Sequence, residues 1–449
     1  MKRTSRHSQA GGSVMPRKKQ RGVALVTVLI AIAITLVISN EFGTSTSTDM
    51  IAAANYRDQM RAHFLARSAQ NLGELVLRIQ YRIDNTKELR GMFDVTEWAN
   101  MIMSPFCGGA EEVKDLIGLS TDQVKGMGTS DIGTCGLDDF TTEDDKINMN
   151  CANSPTGQAA ETTKSMLDAL VYFQQYDPVF EEADAEGWRR DRNTQTEALV
   201  DYVDKDSMRG PATAKNNKLG TSEDYGYESL KDRYYAKNNY LDSTGELKLV
   251  RGVDDRFWTL FGDAFTVYGG CKVNLPRVTN PQLIVAILYL AADTKIQQPI
   301  LQDPRKMYIL ASLVAKAKEM GENFTKADDF ITFVKDPSAA LQQLAAAGGM
   351  AGSAAINALA QGMGLPPGEK VSIQLDASLL NAMVTFAPRR TFRVSAWGEV
   401  ERKQKNADGS PVFPPIRSTI TGVWDTKVFP QNVRKQPAPK GAWVFLRED

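Results

Sequence analysis

The stretch from Val23 to Ser39 holds no charged residue, and it constrains the chain more than any other feature. At ~1.5 Å rise per residue a helix of this length spans about 26 Å, close to the ~30 Å hydrocarbon core of a bilayer. Basic residues precede the run and Asn40-Glu41 follows it. Positive residues before a span hold the N-terminus in the cytoplasm. The expectation is a single-pass inner-membrane protein whose bulk is periplasmic.

An ordinary secretory signal would need a small-residue cleavage site after its apolar run. Ile38-Ser39-Asn40 is a poor one, and amphipathic sequence continues straight through it. The leader carries Lys2, Arg3, Arg6, Arg17, Lys18, Lys19 and Arg21, no acidic residue, and ends at Gly22. A basic leader ending in glycine, joined without a gap to an apolar helix, resembles the start of a prepilin or pseudopilin. In that family a membrane peptidase cuts after the glycine on the cytoplasmic side. The resemblance therefore implies cleavage between Gly22 and Val23, with the apolar helix kept on the mature chain. A plain signal anchor is the competing reading.

The 449 residues suffice for two or three compact modules. Removing the seven basic leader residues from the 53 Lys and Arg leaves 46 against 54 acidic residues, a mature net charge of −8. Such a domain has no general attraction to nucleic acid or anionic lipid, and no nucleic-acid partner is expected. One histidine, His63, lies outside the leader. That removes histidine-based triads and multi-histidine metal sites, so no catalytic residue is assigned and the chain reads as a non-enzyme. The cysteines are Cys107, Cys135, Cys151 and Cys271. An even number in an oxidising compartment suggests one or two disulfides, with three complete pairings open. At least one bridge is expected inside the 107–151 segment, buried free thiols being the alternative.

Beyond the span, Met60, Phe64, Leu72, Leu75, Val76, Ile79 and Ile83 step by three and four with one longer gap. The spacing predicts one long helix, with a membrane part at 23–39 and an amphipathic periplasmic part at 40–85; a break near Gly43 is the alternative. Residues 86–190 mix short apolar pieces with loops such as Thr141-Thr142-Glu143-Asp144-Asp145. They read as a body with Cys-containing loops, helical near 165–175. From 191 to 337 the pattern is helical. Ser243 or Asp242 would cap the segment holding Leu247 and Leu249, and Thr325 would cap another with Asp328 three positions on. Residues 338–370, with Gly348-Gly349 and Pro366-Pro367-Gly368, read as an Ala/Gly-rich linker and domain boundary. From 371 to 430 the period changes to two: Val371, Ile373 and Leu375 alternate, as do Phe392, Val394, Ala396 and Val400. A loop is expected at Lys405 to Gly409, a returning strand at Ser418 to Trp424, and an irregular tail over 431–449.

Ala54-Asn55-Tyr56-Arg57-Asp58, Leu65-Ala66-Arg67-Ser68, Leu199 to Asp206, Lys237 to Gly252 and Val273-Asn274-Leu275-Pro276 stand in order behind the prepilin-like start. Together they resemble general secretion pathway protein K, the large minor pseudopilin family of type II secretion systems. The most specific string is Asn239 to Gly252, with Asp242-Ser243, Glu246-Leu247 and Val250-Arg251-Gly252. The resemblance implies an α+β fold: a pilin-like long N-terminal helix and a small antiparallel sheet, with a large all-α domain inserted. It also implies a place at the pseudopilus tip with two other minor pseudopilins, starting or capping assembly for export of folded proteins. Further implied partners are the major pseudopilin, the inner-membrane assembly platform and the prepilin peptidase.

Most pilins carry a glutamate at the fifth mature position, and here that position is Thr27. A subunit with nothing above it has no neighbouring amine to neutralise, and an unpaired membrane carboxylate is costly, so threonine fits a tip subunit. Threonine simply suiting a lipid-facing helix explains it as well. Asp204, Asp206, Glu223 and Asp224 could gather oxygen ligands around calcium, as the resemblance implies for the helical domain, although the EF-hand spacing is absent. A solvated acidic surface is the alternative. The Val273–Phe330 region resembles a helix-hairpin-helix module but lacks a glycine hairpin, so packing rather than DNA binding is expected. Rival readings are a minor pilin of a type IV pilus or competence system, and a membrane-anchored periplasmic hydrolase.

Overall fold

One helix, α1, runs unbroken from Arg21 to Asn85, 65 residues and about 97 Å long. A computed structural model of the chain describes residues 21–86, 89, 94–107, 133–154, 157–183, 191–205, 222, 227, 232–347, 362, 371–402, 413–428 and 441–449. The basic residues at 2–19, Gly348-Gly349, Pro366-Pro367-Gly368 and the Lys405–Gly409 loop lie outside them. Gly43 does not break α1, and a methyl group there would meet nothing within 4 Å.

After α1 come α2 (Ala99–Met103) and β1 (Thr134–Thr142). A helical insertion follows: β2 (Ile147–Asn148), α3 (Gly157–Leu170), α4 (Asp177–Glu181), α5 (Arg192–Asp201), α6 (Asp255–Phe261), β3 (Phe265–Thr266) and β4 (Val273–Asn274). It continues through α7 (Pro281–Leu290), α8 (Pro304–Glu319), α9 (Ala327–Lys335), α10 (Pro337–Ala347), α11 (Ala377–Met383) and β5 (Val384–Thr385). The chain then returns as β6 (Thr391–Val400), β7 (Ile416–Asp425) and β8 (Ala442–Glu448). Antiparallel pairing in the order β1-β6-β7-β8 builds one four-stranded sheet from both sides of the insertion. The fold is α+β, a long helix on an antiparallel sheet with a helical domain between its first two strands.

The sheet and α1 meet through small residues. Ala62, Ala66 and Ala69 are fully buried, and Gly73 extends the same face toward Val394 and Leu137. On β6 the buried positions alternate, Phe392, Val394, Ala396 and Val400, as a strand with one covered face requires. Gly398 completes that row where β6 crosses α1. Trp424 and Trp443 pack edge to face at 5.2 Å, and the Trp443 indole donates to Glu74 of α1 at 2.9 Å. At the other edge, β1 carries a bulge after Leu137. The Asn100 side chain donates to the Leu137 carbonyl at 2.9 Å and accepts its N–H at 3.0 Å, standing in for a neighbouring strand.

The insertion has its own core, centred on α7, whose residues Leu283 to Leu288 are all buried. A helix apolar on every side belongs inside a domain. Asn280 caps it, accepting from the N–H groups of Gln282 and Leu283, and Pro281 sits in its first turn. Ser243 forms a capping box with Glu246 over the turn holding Leu247.

Several expectations are corrected. Val371, Ile373 and Leu375 join the insertion's core instead of the sheet. Leu375 makes only an isolated bridge, to Ala292. Their period of two reflects a short extended pass over helices. The tail is not irregular, because Ala442–Glu448 is the fourth sheet strand. The insertion's core begins at Ile147 and ends at Val384, wider than 191–337, and α10 continues it into the supposed linker through the buried Leu341. Thr325 precedes Lys326, the residue that flanks α9, and it bonds Asp329 rather than Asp328.

The two disulfides are Cys107–Cys135 and Cys151–Cys271. The first ties α2 and its turn to β1 in the sheet body, the second ties two parts of the insertion. Loop-closure entropy alone gives them about 3.6 and about 4.9 kcal/mol on the chain-entropy model.

Candidate functional site

The span presents its side chains outward all round, with Val23, Leu29 and Leu36 each more than half exposed, as lipid contact demands. It is the one helix among the described residues long and apolar enough to cross a membrane. Gly22 and Val23 lie in its first turn. The Thr27 hydroxyl donates back to Val23 O at 3.2 Å and Ala24 O at 2.9 Å, and Thr35 does the same to Ala31 O at 2.8 Å. Both hydroxyls are thus satisfied within the helix, and neither needs a partner in lipid.

Below the span α1 has two apolar faces of different kinds. The face of small residues lies on the sheet. The opposite side presents Tyr56 (68% exposed), Met60, Phe64 (62%), Leu75 (53%) and Ile79 to solvent. Of the residues whose spacing announces an amphipathic helix, Met60, Phe64, Leu72, Leu75, Val76, Ile79 and Ile83, only Val76 is buried, with Leu72 and Ile83 partly covered. Arg67 and His63 flank the stripe and reach Glu448 of β8 at 2.6 and 3.8 Å. Nearer the membrane, the buried Asp58 takes Arg57 at 2.9 Å and Arg402 at 2.7 Å, pinning the end of β6 to α1.

Of the proposed calcium ligands, Asp204 is buried (5% exposed) just beyond α5, near the buried Asp201. Asp206, Glu223 and Asp224 lie outside the described residues, among which no group of three or more acidic, histidine or cysteine side chains is placed to hold a metal.

Sequence reasoning did not find the polar waist where the insertion joins the sheet body. Asp94, ahead of α2, takes the Arg389 guanidinium at 2.5 Å and that of Arg277 at 3.2 Å. The buried Glu143 pairs with Arg393 and accepts from the Thr266 hydroxyl at 2.6 Å. Asp144 accepts from the backbone N–H of Thr391 at 2.9 Å and from that of Arg390, whose side chain forks onto Asp425. Burial pushes the Asp94 carboxyl up, but Arg389, Thr96 and Arg277 outweigh it and hold it below its ordinary value. Arg389 is also lowered, by burial and by Arg277, against the pull of Asp94. The two partners differ because Asp94 faces two cations, whereas Arg389 shares its anion with a second cation. Asp84 is raised by burial. These residues are far apart in sequence and carry no motif, so no spacing could have joined them.

A membrane-anchored α+β chain of pilin-like architecture is the class that this geometry defines. No family model and no curated protein matches the chain. Among solved structures it is similar to the GspK-GspI-GspJ complex of the enterotoxigenic Escherichia coli type 2 secretion system. The match has 12% identity and a TM-score of 0.42, covering 89% of this chain and 99% of that one.

Proposed function

We propose that the chain is a non-enzymatic minor pseudopilin of a type II secretion system, set at the fibre tip with other minor pseudopilins. The observation that carries this reading is α1, a lipid-facing span continuous with a rod that covers its own sheet on one side and leaves an apolar stripe uncovered on the other. Burying Tyr56, Phe64 and Leu75 against a neighbouring helix would contribute roughly 1.5–3 kcal/mol per fully buried side chain. A second pilin-type rod supplies such a surface. The hydroxyl of Thr27, satisfied internally, leaves no buried carboxylate requiring an amine from a subunit above, which favours the tip.

A photo-crosslinking residue at Phe64 should capture chains that themselves begin with a prepilin-like helix, while one at Leu77, facing the sheet, should capture none. Capture of type IV pilins would favour the pilus reading. Capture only of lipid or of unrelated periplasmic proteins would end the fibre reading.

We also propose calcium in the insertion, with Asp204 and Asp206 among its ligands. Chelation should lower the melting temperature of the native chain, and Asp204→Ala with Asp206→Ala should abolish that response. A variant that still responds fully to chelator would dismiss the site.

A further inference from the structure

The two hydrophobic cores share no residue: one holds α1, α2 and the sheet, the other runs from Ile147 to Val384. Each has its own disulfide. The chain passes between them twice, outward after β1 and back before β6, and the passes are tied to each other. Glu143 N donates to Thr391 O at 3.1 Å, Thr142 Oγ1 donates to the same oxygen at 3.0 Å, and Asn274 Nδ2 donates to Ala387 O at 3.0 Å. These bonds hold the crossing itself. Thr266 of the insertion also donates to Glu143 at 2.6 Å, Asn274 N donates to Asp144 O at 2.7 Å, and the Tyr268 and Phe445 rings meet at 6.1 Å, so the junction is held at several points.

We propose that the Asp94–Arg277 ion pair is the clasp that sets the orientation of the helical insertion on the sheet body. Asp94 belongs to the body and Arg277 to the insertion, while Arg389, on the returning pass, braces the same carboxylate. Apolar packing does not do this work at that point. A cavity of about 270 Å³ lies beside the pair, lined by Asp84, Arg277, Phe324, Phe386 and Arg389. Arg389 is covered, but the Arg277 side chain is 35% exposed, so the outer half of the clasp faces water and salt. Polar junctions between separate cores permit relative motion unless something locks them. The Asp94 half is 13% exposed and the Arg277 half 35%, so salt reaches the pair from the arginine side and screens it only in part. Arg277 is therefore a positioning residue. With the clasp closed, the insertion is presented to the rest of the assembly at one angle. With it open, the insertion swings about the two passes.

Spin labels test this in the full chain in detergent, one at Ser68→Cys on α1 and one at Ile296→Cys in the insertion. Both positions are exposed, and all four native cysteines are in disulfides. Arg277→Gln should broaden the label-to-label distance distribution about twofold, and Arg277→Lys should restore part of the width. Far-ultraviolet circular dichroism should stay unchanged in both. Raising salt to about 1 M should broaden the parent protein in the same direction, which checks the clasp without any substitution at it. A distribution of constant width across Arg277→Gln and the salt series would overturn the proposal.

Discussion

Replacing Gly398 with alanine is expected to lower the melting temperature of the sheet body by roughly 6–12 °C, the equivalent of about 3 kcal/mol or more. An added methyl group would lie 2.6 Å from Leu65 Cβ and closer still to the Ala62 carbonyl oxygen and the Ala66 nitrogen. Those obstacles are helix backbone, which has no rotamer to change. Relief requires α1 to lift off β6, and the lift would loosen Ala62, Leu65, Ala69 and Val394 in the same core. The insertion has a separate core, so its own transition should stay in place. Scanning calorimetry can read the two events apart, since a two-core chain is not expected to melt in one step. Gly43→Ala is the control: it sits in open space on the same helix and should be neutral or mildly stabilising. A Gly398→Ala protein that melts like its parent would mean that the close crossing of β6 over α1 is wrong.

If the chain is the minor pseudopilin proposed above, Gly22→Val is expected to leave the leader in place and abolish export by the secretion system. The physical basis is steric. A peptidase acting at the membrane surface needs the backbone of the bond after residue 22, and a β-branched side chain beside that bond blocks the approach. The retained leader would add seven positive charges to the start of the span. Those charges resist entry into hydrocarbon, so α1 could not be drawn outward with a growing fibre. Immunoblots of the variant should show one species, longer by the leader. Normal shortening and normal export would refute the assignment of the cleavage bond.

The parts of this molecule legible in the sequence are those governed by local periodicity. The span from Val23, the rod to Asn85, α7, α8 and strands β6 and β7 all follow from residue spacing within one element. Residues whose partners are distant in sequence leave no such signal. The apolar steps at Met60, Phe64 and Leu75 predict an amphipathic rod without saying what each side meets, and the face against the sheet is made of Ala62, Ala66, Ala69 and Gly73. Small residues give little hydrophobic signal, and the large apolar residues of α1 below the span stand on its uncovered side. Val371, Ile373 and Leu375 show that a period of two marks extended backbone without naming what it lies against. β8 follows a segment with Pro430, Pro437 and Pro439, whose turn signals mask the strand behind them. Asp94, Arg277 and Arg389 come together only when the insertion folds back, so the waist had no sequence signature.

The proposed function requires α1 to be the rod of a fibre subunit that is trimmed at its start and kept in one piece thereafter. Intact-mass measurement of the chain purified from its native membrane addresses this most directly. A mature protein beginning at Val23 is the predicted result. A chain that still begins at Met1, or one that begins beyond Ser39 with the span removed, would contradict it.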